Sequence, residues 1–285
     1  MQHIGEIMLT LMYITNSPEI ALIAEQNGVQ RIWVDLETLG KEERQKGRNT
    51  VKSNHTVEDV RAIAPLLTKS ELLVRVNPWN EHSQEEIDAV IHAGADLIML
   101  PMWKSAEEVA CFLEAVNGRI PAVLLLETRE AEECLDEVLG LNGIAEIHIG
   151  LNDLHISYGL DFMFELLANG TVERICQKIA QKGIPYGFGG IAKIGDGAVP
   201  AEKIILEHYR LGSSRAILSR TFCDNAKITS TEEIERVFRL NMKALRAFDE
   251  YAIQAPEEAY ERNRQELCEA VSKVAQEMRA KRGGA

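Results

Sequence analysis

Short apolar runs recur along the chain and are separated by longer segments of mixed polarity. The runs are rich in Val, Ile and Leu and contain few polar positions. Such near-continuous apolar strands are typical of a parallel sheet that is covered on both faces, whereas regular alternation would indicate one solvated face. Candidate strands follow from this pattern at residues 8–15, 31–37, 71–77, 96–101, 121–127, 146–153, 184–190 and 215–219.

The segments between these runs carry apolar residues at helical spacing. Several begin with Ser or Thr close to a Glu, which favours a helix N-terminus, and several end on Gly, which favours a C-terminus. Eight strands that alternate with helices predict an α/β protein with a (β/α)8 TIM barrel. A doubly wound open sheet is the alternative, but the first strand is not followed by the glycine-rich loop of that fold. Helical segments are predicted at residues 17–28, 56–67, 83–94, 105–118 and 128–140.

Further helical segments follow the eighth candidate strand. We predict one barrel domain over residues 1–285, with residues 232–281 as additional C-terminal helices. The last segment, 257–280, has apolar positions at helical spacing on a heavily charged background. It therefore packs on the barrel or on a neighbouring subunit, and a solvated helix is the alternative. The longest polar interruption, residues 38–55, is predicted to be a functional loop because long βα loops in barrels usually carry function.

The chain of 285 residues carries 31 Lys and Arg against 44 Asp and Glu, a net charge of −13. That field repels phosphate backbones and anionic lipids, so neither nucleic acid nor a membrane is an expected partner. No apolar run approaches the roughly 20 residues of a spanning helix, and the N-terminal segment lacks the basic leader of a signal peptide. The five cysteines are widely spaced without a C-x-x-C pair, which favours the cytoplasm over a disulfide or zinc framework.

Polar side chains stand at the C-terminal ends of the candidate strands, where the active sites of barrels lie. Glu127 ends one apolar run, and Asp153 ends the next run along the chain. Two carboxylates at neighbouring strand ends can converge on one point and would suit Mg²⁺ or Mn²⁺, with positions left for water and substrate. The alternative is that each carboxylate caps a following helix, since acidic residues favour helix N-termini.

Arg75 lies inside an otherwise apolar strand run. Its guanidinium must either pair with an internal acid such as Asp35 or direct its paired donors at an anionic ligand, and both hold if Asp35 orients Arg75. Two histidines are candidates for proton transfer near neutral pH. His55 closes the long second loop, and His155 lies two residues after Asp153. An ordinary surface-loop histidine is the alternative interpretation for each.

Five strand-end motifs together resemble one known family. The strings WVDLE, LLVRVNP, GADLIMLPM, LLLETREA and IGLNDL occur in the order and spacing of the HpcH/HpaI aldolase and citrate lyase family, and the resemblance extends from about residue 8 to 225. It implies a (β/α)8 barrel that forms a homo-oligomer, often with a C-terminal helix packed against or exchanged with a neighbouring subunit. By motif match it implies that Glu127 and Asp153 bind a divalent metal and that Arg75 stabilises the carbonyl or enolate oxygen.

The resemblance also implies the chemistry: reversible carbon–carbon cleavage through the enolate of pyruvate or of an acyl-CoA, with a small 2-oxo acid as substrate. The segment that contains Gly150 and Asn152 would receive the substrate carboxylate. Two positions depart from the family pattern, and one of them is Leu125, where the aldolases commonly carry Gln two residues before the metal Glu. The aldolases commonly carry Asp-x-Glu-His at the second strand end, whereas Thr38 follows Glu37 in this chain. We therefore expect His55 or His155 to supply the proton-transfer group.

Three functions are compatible with these residues. The favoured one is a metal-dependent class II aldolase that releases or adds pyruvate or a similar 2-oxo acid. A CoA-ester lyase of the citrate or malyl-CoA type is the enzymatic alternative. It would need a positive patch for the CoA phosphates, which the acidic sequence does not indicate. A catalytically silent metabolite-binding barrel is the third, but a scaffold has no physical need for Glu127, Asp153 and Arg75 together.

Overall fold

The computed structural model describes residues 8–40, 54–223, 228 and 230–283. Eight strands close into a barrel in chain order, as the sequence predicts. Parallel pairing joins β1 to β2, β2 to β3, β3 to β4, β4 to β5 and β7 to β8. The strands are β1 (Thr10–Ile14), β2 (Arg31–Asp35), β3 (Glu71–Arg75), β4 (Leu97–Leu100), β5 (Ala122–Leu126), β6 (Ile144–Ile149), β7 (Tyr186–Ile191) and β8 (Arg215–Leu218).

Helices lie between the strands and after the last one. Short 3-10 turns at Ala64–Leu66 and Arg220–Phe222 complete the helical elements of the described chain. The α-helices are α1 (Pro18–Gln26), α2 (Val57–Ile63), α3 (Ser83–His92), α4 (Ala106–Val116), α5 (Arg129–Glu133), α6 (Leu135–Val138), α7 (Leu151–Ser157), α8 (Glu165–Ala168), α9 (Thr171–Ala180), α10 (Ala201–Arg210), α11 (Thr231–Ile253) and α12 (Glu257–Gly283).

The helix starts follow the predicted capping chemistry. Thr56 and Asp59 form a capping box at α2, in which the Asp59 amide donates to the Thr56 hydroxyl and the Thr56 amide donates to the Asp59 carboxylate at 2.7 Å. Ser105 accepts from the Glu108 amide at 3.2 Å at the start of α4. Each side chain satisfies a backbone donor that the first helical turn leaves without an intrahelical partner.

Every position of β2, β4 and β5 is buried, which explains why their sequences show no polar alternation. The charged exceptions in β2 stand at its two ends. At the first end, the Arg31 guanidinium donates to both carboxylate oxygens of Glu146 at 2.8 and 3.1 Å and to Glu71 at 2.8 Å. This neutralises a side chain that is only 3% exposed, as a buried cation requires.

Two predicted elements differ from the observed ones at their boundaries. The run at 146–153 contains the end of a strand and the start of a helix, because β6 ends at Ile149 and α7 begins at Leu151. The helical segment at 128–140 is divided at Cys134 into α5 and α6. In both places the sequence pattern continues across a break in regular secondary structure, so periodicity alone does not mark the boundary.

The C-terminal segments form two long helices. On α11, Phe238, Met242 and Leu245 are buried, and Arg246 donates to the Leu9 carbonyl at 2.8 Å. On α12, Leu267 and Val271 are each 1% exposed. The last helix is therefore packed along one side rather than solvated all round.

The chain divides into two compact units. Of the described residues, one unit contains 8–11, 127–129 and those from 148 onward, and the other contains 12–40, 54–126 and 130–147. The single-domain organisation with a helical extension over 232–281 stays a prediction. Most of the predicted functional loop, residues 41–53, lies outside the described part of the chain.

Candidate active site

The first group of candidate residues is centred on Arg75, the last residue of β3. Parallel pairing places Arg75 directly beside Asp35, the last residue of β2. The guanidinium donates to the two Asp35 carboxylate oxygens at 2.8 and 2.9 Å, and its Nη2 lies 3.2 Å from Glu37 Oε2. The side chains of Asp35 and Glu37 are 3% and 2% exposed. Arg75 is therefore locked by a two-point fork and a second acid, which fixes its orientation.

Two further contacts define the surroundings of this fork. The Arg75 guanidinium carbon lies 5.3 Å from the centre of the Trp33 ring, in cation–π range. The Asp35 amide donates to His55 Nδ1 at 2.9 Å. Because an amide can only donate, Nδ1 is the acceptor and the neutral ring carries its proton on Nε2. The structure thus brings His55 to the Asp35–Arg75 pair, a pair that the sequence predicted as one alternative for Arg75.

Thr38 occupies the position at which the family pattern has a histidine, and it is hydrogen-bonded to Asn77. The Asn77 side-chain oxygen accepts from the Thr38 amide at 2.8 Å, the Leu39 amide at 3.0 Å and the Thr38 hydroxyl at 3.2 Å. Asn77 in turn donates to Glu86 from its side-chain amide at 2.8 Å. Burial raises the pKa of the Glu86 carboxyl, although the hydrogen bonds from Asn77 oppose this rise. The start of the long loop is thereby anchored beside the Arg75 group.

The second group of candidates begins with Glu127, the residue directly after β5. Glu127 is 3% exposed and the following Thr128 is 2% exposed. The chain then turns into α5, where the Arg129 amide donates to the Ser157 hydroxyl at 2.9 Å and the Arg129 guanidinium lies 5.8 Å from the Tyr158 ring centre. These contacts tie the Glu127 turn to the end of α7, the helix that carries Asp153.

Asp153 lies in the first turn of α7, which begins after Gly150. Its side chain is partly buried, whereas that of Asn152 is exposed. A carboxylate in a first helical turn is favoured by the helix dipole as well, so the capping interpretation of Asp153 is compatible with its position. Gly189 of β7 lies against the first residue of this helix. A Cβ at Gly189, where φ is +50°, would lie 2.7 Å from Leu151 Cδ1, so the position favours glycine.

His155 also lies on α7, and its ring is hydrogen-bonded to the backbone of the same helix. The ring is 8% exposed, and its Nδ1 lies 3.2 Å from the Leu151 carbonyl oxygen. A carbonyl can only accept, so Nδ1 carries the proton of this hydrogen bond. The two histidine candidates therefore differ, because His55 presents a proton at Nε2 and the neutral His155 ring holds its proton at Nδ1.

The donor chemistry of Glu127 and Asp153 fits a hard divalent cation, since both supply carboxylate oxygens. Within the described ranges, no group of three or more His, Cys, Asp or Glu side chains is arranged to hold a metal ion. A site here would therefore depend on two protein carboxylates and leave its other positions to water and substrate oxygens.

Glu37, Trp33 and Asn77 are the contributors that sequence reasoning did not assign. A signal for Glu37 was present, since Asp35 and Glu37 are two residues apart and extended backbone places such side chains on one side. The same spacing relates Asn77 to Arg75. No comparable signal marks Trp33, because its contact with Arg75 depends on the pairing of β2 with β3.

A closed barrel of eight strands, with charged side chains at the strand ends, defines a (β/α)8 enzyme scaffold. The model of the HpcH/HpaI aldolase/citrate lyase family matches residues 9–166. That match covers more than half of the chain, and the chain belongs to this family. The resemblance identified from the strand-end motifs is thereby confirmed.

Solved structures share the fold at low sequence identity. An HpcH/HpaI aldolase from Desulfitobacterium hafniense DCB-2 is 16% identical, with a TM-score of 0.59 over 74% of this chain and 86% of that one. A family protein from Burkholderia cenocepacia J2315 is 13% identical, with a TM-score of 0.56 over 86% and 97%. The citrate synthase SbnG is 16% identical, with a TM-score of 0.55 over 75% and 86%. None of the curated proteins shows a significant sequence match.

These findings confirm the predicted TIM barrel and support a lyase-type enzyme that acts on small molecules, as members of the family do. Across the described residues, every helix is too short or too polar to cross a membrane.

Proposed function

We propose that the protein is a divalent-metal-dependent class II aldolase, a carbon–carbon lyase that cleaves or forms a 2-oxo acid adduct through a pyruvate-type enolate. One observation carries the proposal: the Arg75 guanidinium is fixed at the C-terminal end of β3 by the buried Asp35 and Glu37 carboxylates. A cation that is 11% exposed and oriented this firmly, in a family of aldolases and lyases, is suited to stabilise negative charge on a substrate oxygen.

Glu127 and Asp153 would hold the metal, Mg²⁺ or Mn²⁺, through carboxylate oxygens. When bound, the cation would supply Lewis-acid stabilisation of the charge that develops on the oxygen of the 2-oxo acid. Glu127 is 3% exposed, so a cation held there would be shielded from bulk water, which strengthens its electrostatic interactions. The segment with Gly150 and Asn152 would contact the substrate carboxylate.

Arg75 would donate to the developing enolate oxygen, and Asp35 and Glu37 would hold its orientation. A fixed donor needs no reorganisation when the carbon–carbon bond breaks, which is why preorganised donors contribute strongly to catalysis. The deep burial of both acids keeps the ion pairs away from competing water.

Proton transfer would fall to His55 or His155. The Asp35 amide occupies His55 Nδ1, so the proton of the neutral ring is available at Nε2. In this arrangement the neutral His55 ring would donate a hydrogen bond from Nε2 to the developing enolate oxygen, whereas complete proton transfer from His55 would require prior protonation of Nδ1 and loss of the hydrogen bond from the Asp35 amide. The geometry of His155 is suited to accepting a proton at Nε2.

We further expect a homo-oligomer in the cytoplasm. The five cysteines are free thiols in the described structure, which agrees with a reducing compartment. The acidic net charge of −13 disfavours nucleic acid and anionic membranes as partners.

Proton exchange tests the proposed chemistry. Metal-stripped protein is incubated with pyruvate in D₂O, with and without Mg²⁺ or Mn²⁺, and loss of the methyl proton signal is followed by NMR. We expect metal-dependent exchange with pyruvate. A parallel incubation contains acetyl-CoA in place of pyruvate. Exchange of the acetyl-CoA methyl protons alone would assign a CoA-ester lyase instead, and absence of exchange in both incubations would favour the silent barrel.

Metal affinity tests the proposed ligands separately. Glu127→Ala should weaken Mn²⁺ binding, measured by calorimetry, by about a hundredfold, because one of two protein ligands is lost. Glu130→Ala is the matched control, since Glu130 is an exposed acid three positions further along the chain. Unchanged Mn²⁺ affinity of Glu127→Ala would remove Glu127 from the metal site.

A further inference from the structure

The contacts of Arg31 show which side chains of the first strands face the interior of the barrel. In the closed barrel, β2 and β6 lie on opposite sides, and yet Arg31 of β2 donates to Glu146 of β6 at 2.8 Å. That contact can only cross the interior. Alternate residues of a strand share a face, so Trp33 and Asp35 of β2 face the interior together with Arg31.

Ile14, the last residue of β1, faces the interior as well. Its Cα partner in β2 is Trp33, and paired residues of neighbouring parallel strands point to the same face. Met12, two residues earlier in β1, agrees with this face, because its sulfur lies 4.0 Å from Arg31 Nη1. Ile14 therefore stands beside Trp33, whose ring centre lies 5.3 Å from the Arg75 guanidinium carbon.

Ile14 differs from its interior neighbours in its exposure to solvent. It is 37% exposed, whereas Met12 and Trp33 are each 1% exposed. Apolar side chains in the interior of a barrel are normally packed in layers. The exposed part of Ile14 therefore faces the mouth of the barrel, the open end at the C-terminal ends of the strands, where Arg75 also ends its strand.

A second large apolar residue stands at the same mouth. Leu39, four residues after the end of β2, is 48% exposed. Its amide donates to Asn77 Oδ1 at 3.0 Å, and Asn77 follows Arg75 by two residues. Leu39 and Ile14 thus add apolar surface to the mouth of the barrel on the side where Arg75 lies.

An isoleucine side chain has no hydrogen-bonding group, which restricts the substrate groups that can lie against it. A hydroxyl or a charge placed on Ile14 loses hydration and gains no partner from that side chain. A hydrocarbon group gains about fourfold in binding for each methylene that it buries. Pyruvate has no apolar group other than the methyl carbon that reacts, so an apolar wall beside Arg75 is suited to the other substrate.

We propose that Ile14 selects the aldehyde of the aldol reaction by an apolar substituent. The inference rests on the proposed function, in which Arg75 stabilises the enolate oxygen. In the direction of addition, the methyl carbon of pyruvate loses a proton and bonds to the aldehyde carbon, and the aldehyde oxygen gains a proton. The substituent of the aldehyde then lies against Ile14, so a hydrocarbon substituent is preferred to a hydroxylated one of the same size.

Competition between two aldehydes tests the proposal. Propanal and glycolaldehyde differ by a methyl group in place of a hydroxyl group, and both are supplied at equal concentration with pyruvate and Mg²⁺. NMR measures the initial rates at which the two adducts form. We expect the wild-type chain to form the propanal adduct about tenfold faster, and Ile14→Thr, which places a hydroxyl on the wall, to lower this ratio by about tenfold. Both adducts form in one tube, so the ratio does not depend on the folded fraction of the variant.

Leu66→Thr is the matched control. Leu66 is 39% exposed but lies in the turn before β3, at the opposite end of the strands, so this variant should keep the wild-type ratio. Ile14→Val removes one methylene group and should lower the ratio by about fourfold or less.

Three results would overturn the inference: a wild-type preference for glycolaldehyde, formation of neither adduct, or the wild-type ratio in Ile14→Thr. The exchange of pyruvate methyl protons in the wild-type chain, measured beside the competition, shows how far each failure extends. Where exchange occurs, these results overturn the selection by Ile14 alone. Absence of exchange overturns the proposed function and the selection by Ile14 with it.

Discussion

Arg75 and Asp35 are paired twice, once through their strands and once through their side chains. Their Cα atoms are direct partners in the register of β2 and β3, and the guanidinium fork reaches both Asp35 oxygens at 2.8 and 2.9 Å. The strand register thus aligns the backbones, and the fork fixes the side chain. A side chain held in this way depends on the planar two-pronged geometry of arginine, which lysine does not share.

Replacement of Arg75 tests that dependence. Arg75→Lys keeps the charge but loses the fork, so we expect kcat/KM for retro-aldol cleavage to fall by about a hundredfold or more. Stability, measured by urea unfolding, should fall by only about 1–2 kcal/mol because the ammonium can still pair with one acid. Steady-state kinetics and unfolding are measured on the same preparations.

Arg31→Lys is the matched control. Arg31 is a buried arginine that donates one hydrogen bond to each carboxylate oxygen of Glu146. It is the first residue of β2, whereas Asp35, the partner of Arg75, is the last residue of that strand. We expect a similar loss of stability and unchanged activity per folded molecule. Equal loss of activity in both variants would assign Arg75 a purely structural role.

The two candidate histidines can be separated by substitution. His55→Ala should lower retro-aldol activity by about a hundredfold and remove its contribution from the pH–rate profile. His155→Ala should mainly lower stability, since the ring is buried against its own helix. If both variants keep full activity, neither histidine transfers the proton.

The sequence predicts the barrel well because the signals for strands and for helix starts are local. Apolar β-branched runs mark the strands, and Ser or Thr followed by Glu or Asp marks helix starts such as Thr56. Both signals arise from neighbouring residues and survive without tertiary information. The boundary at Gly150 is less visible, because the apolar pattern continues from the strand into α7.

Local sequence pattern predicts only part of the candidate site. A charge inside an apolar strand requires a partner, so Arg75 points to an acid, and Asp35 is the acid that the register supplies. The approach of His55 to the Asp35 amide depends on the course of a long loop. Sequence pattern carries no information on that course, because a polar loop has no periodicity that fixes its path.

Two glycines of β7 should respond differently to the same change. In Gly187→Ala the new Cβ would lie 2.1 Å from the Arg215 carbonyl oxygen, so we expect a loss of about 3 kcal/mol or more. In Gly190→Ala the nearest atom would be Ser219 Cβ at 3.5 Å, an ordinary contact, so stability should change by less than about 1 kcal/mol. Chemical unfolding compares the two. Equal tolerance would contradict the close approach of β7 to β8.

His208 is expected to make the fold sensitive to acid. The ring is completely buried and stacked on Phe188 at 3.8 Å. Burial, with a smaller contribution from the charge of His148, lowers the pKa of His208 to about 3. An unfolded histidine titrates near 6.5, so between these values the unfolded state binds the extra proton, and stability falls by roughly 1 kcal/mol for each pH unit of acidification. We expect His208→Phe to flatten this slope in urea unfolding at pH 7, 6 and 5, whereas His82→Phe, at an exposed ring, serves as the control. An unchanged slope in His208→Phe would show that other groups cause the acid sensitivity.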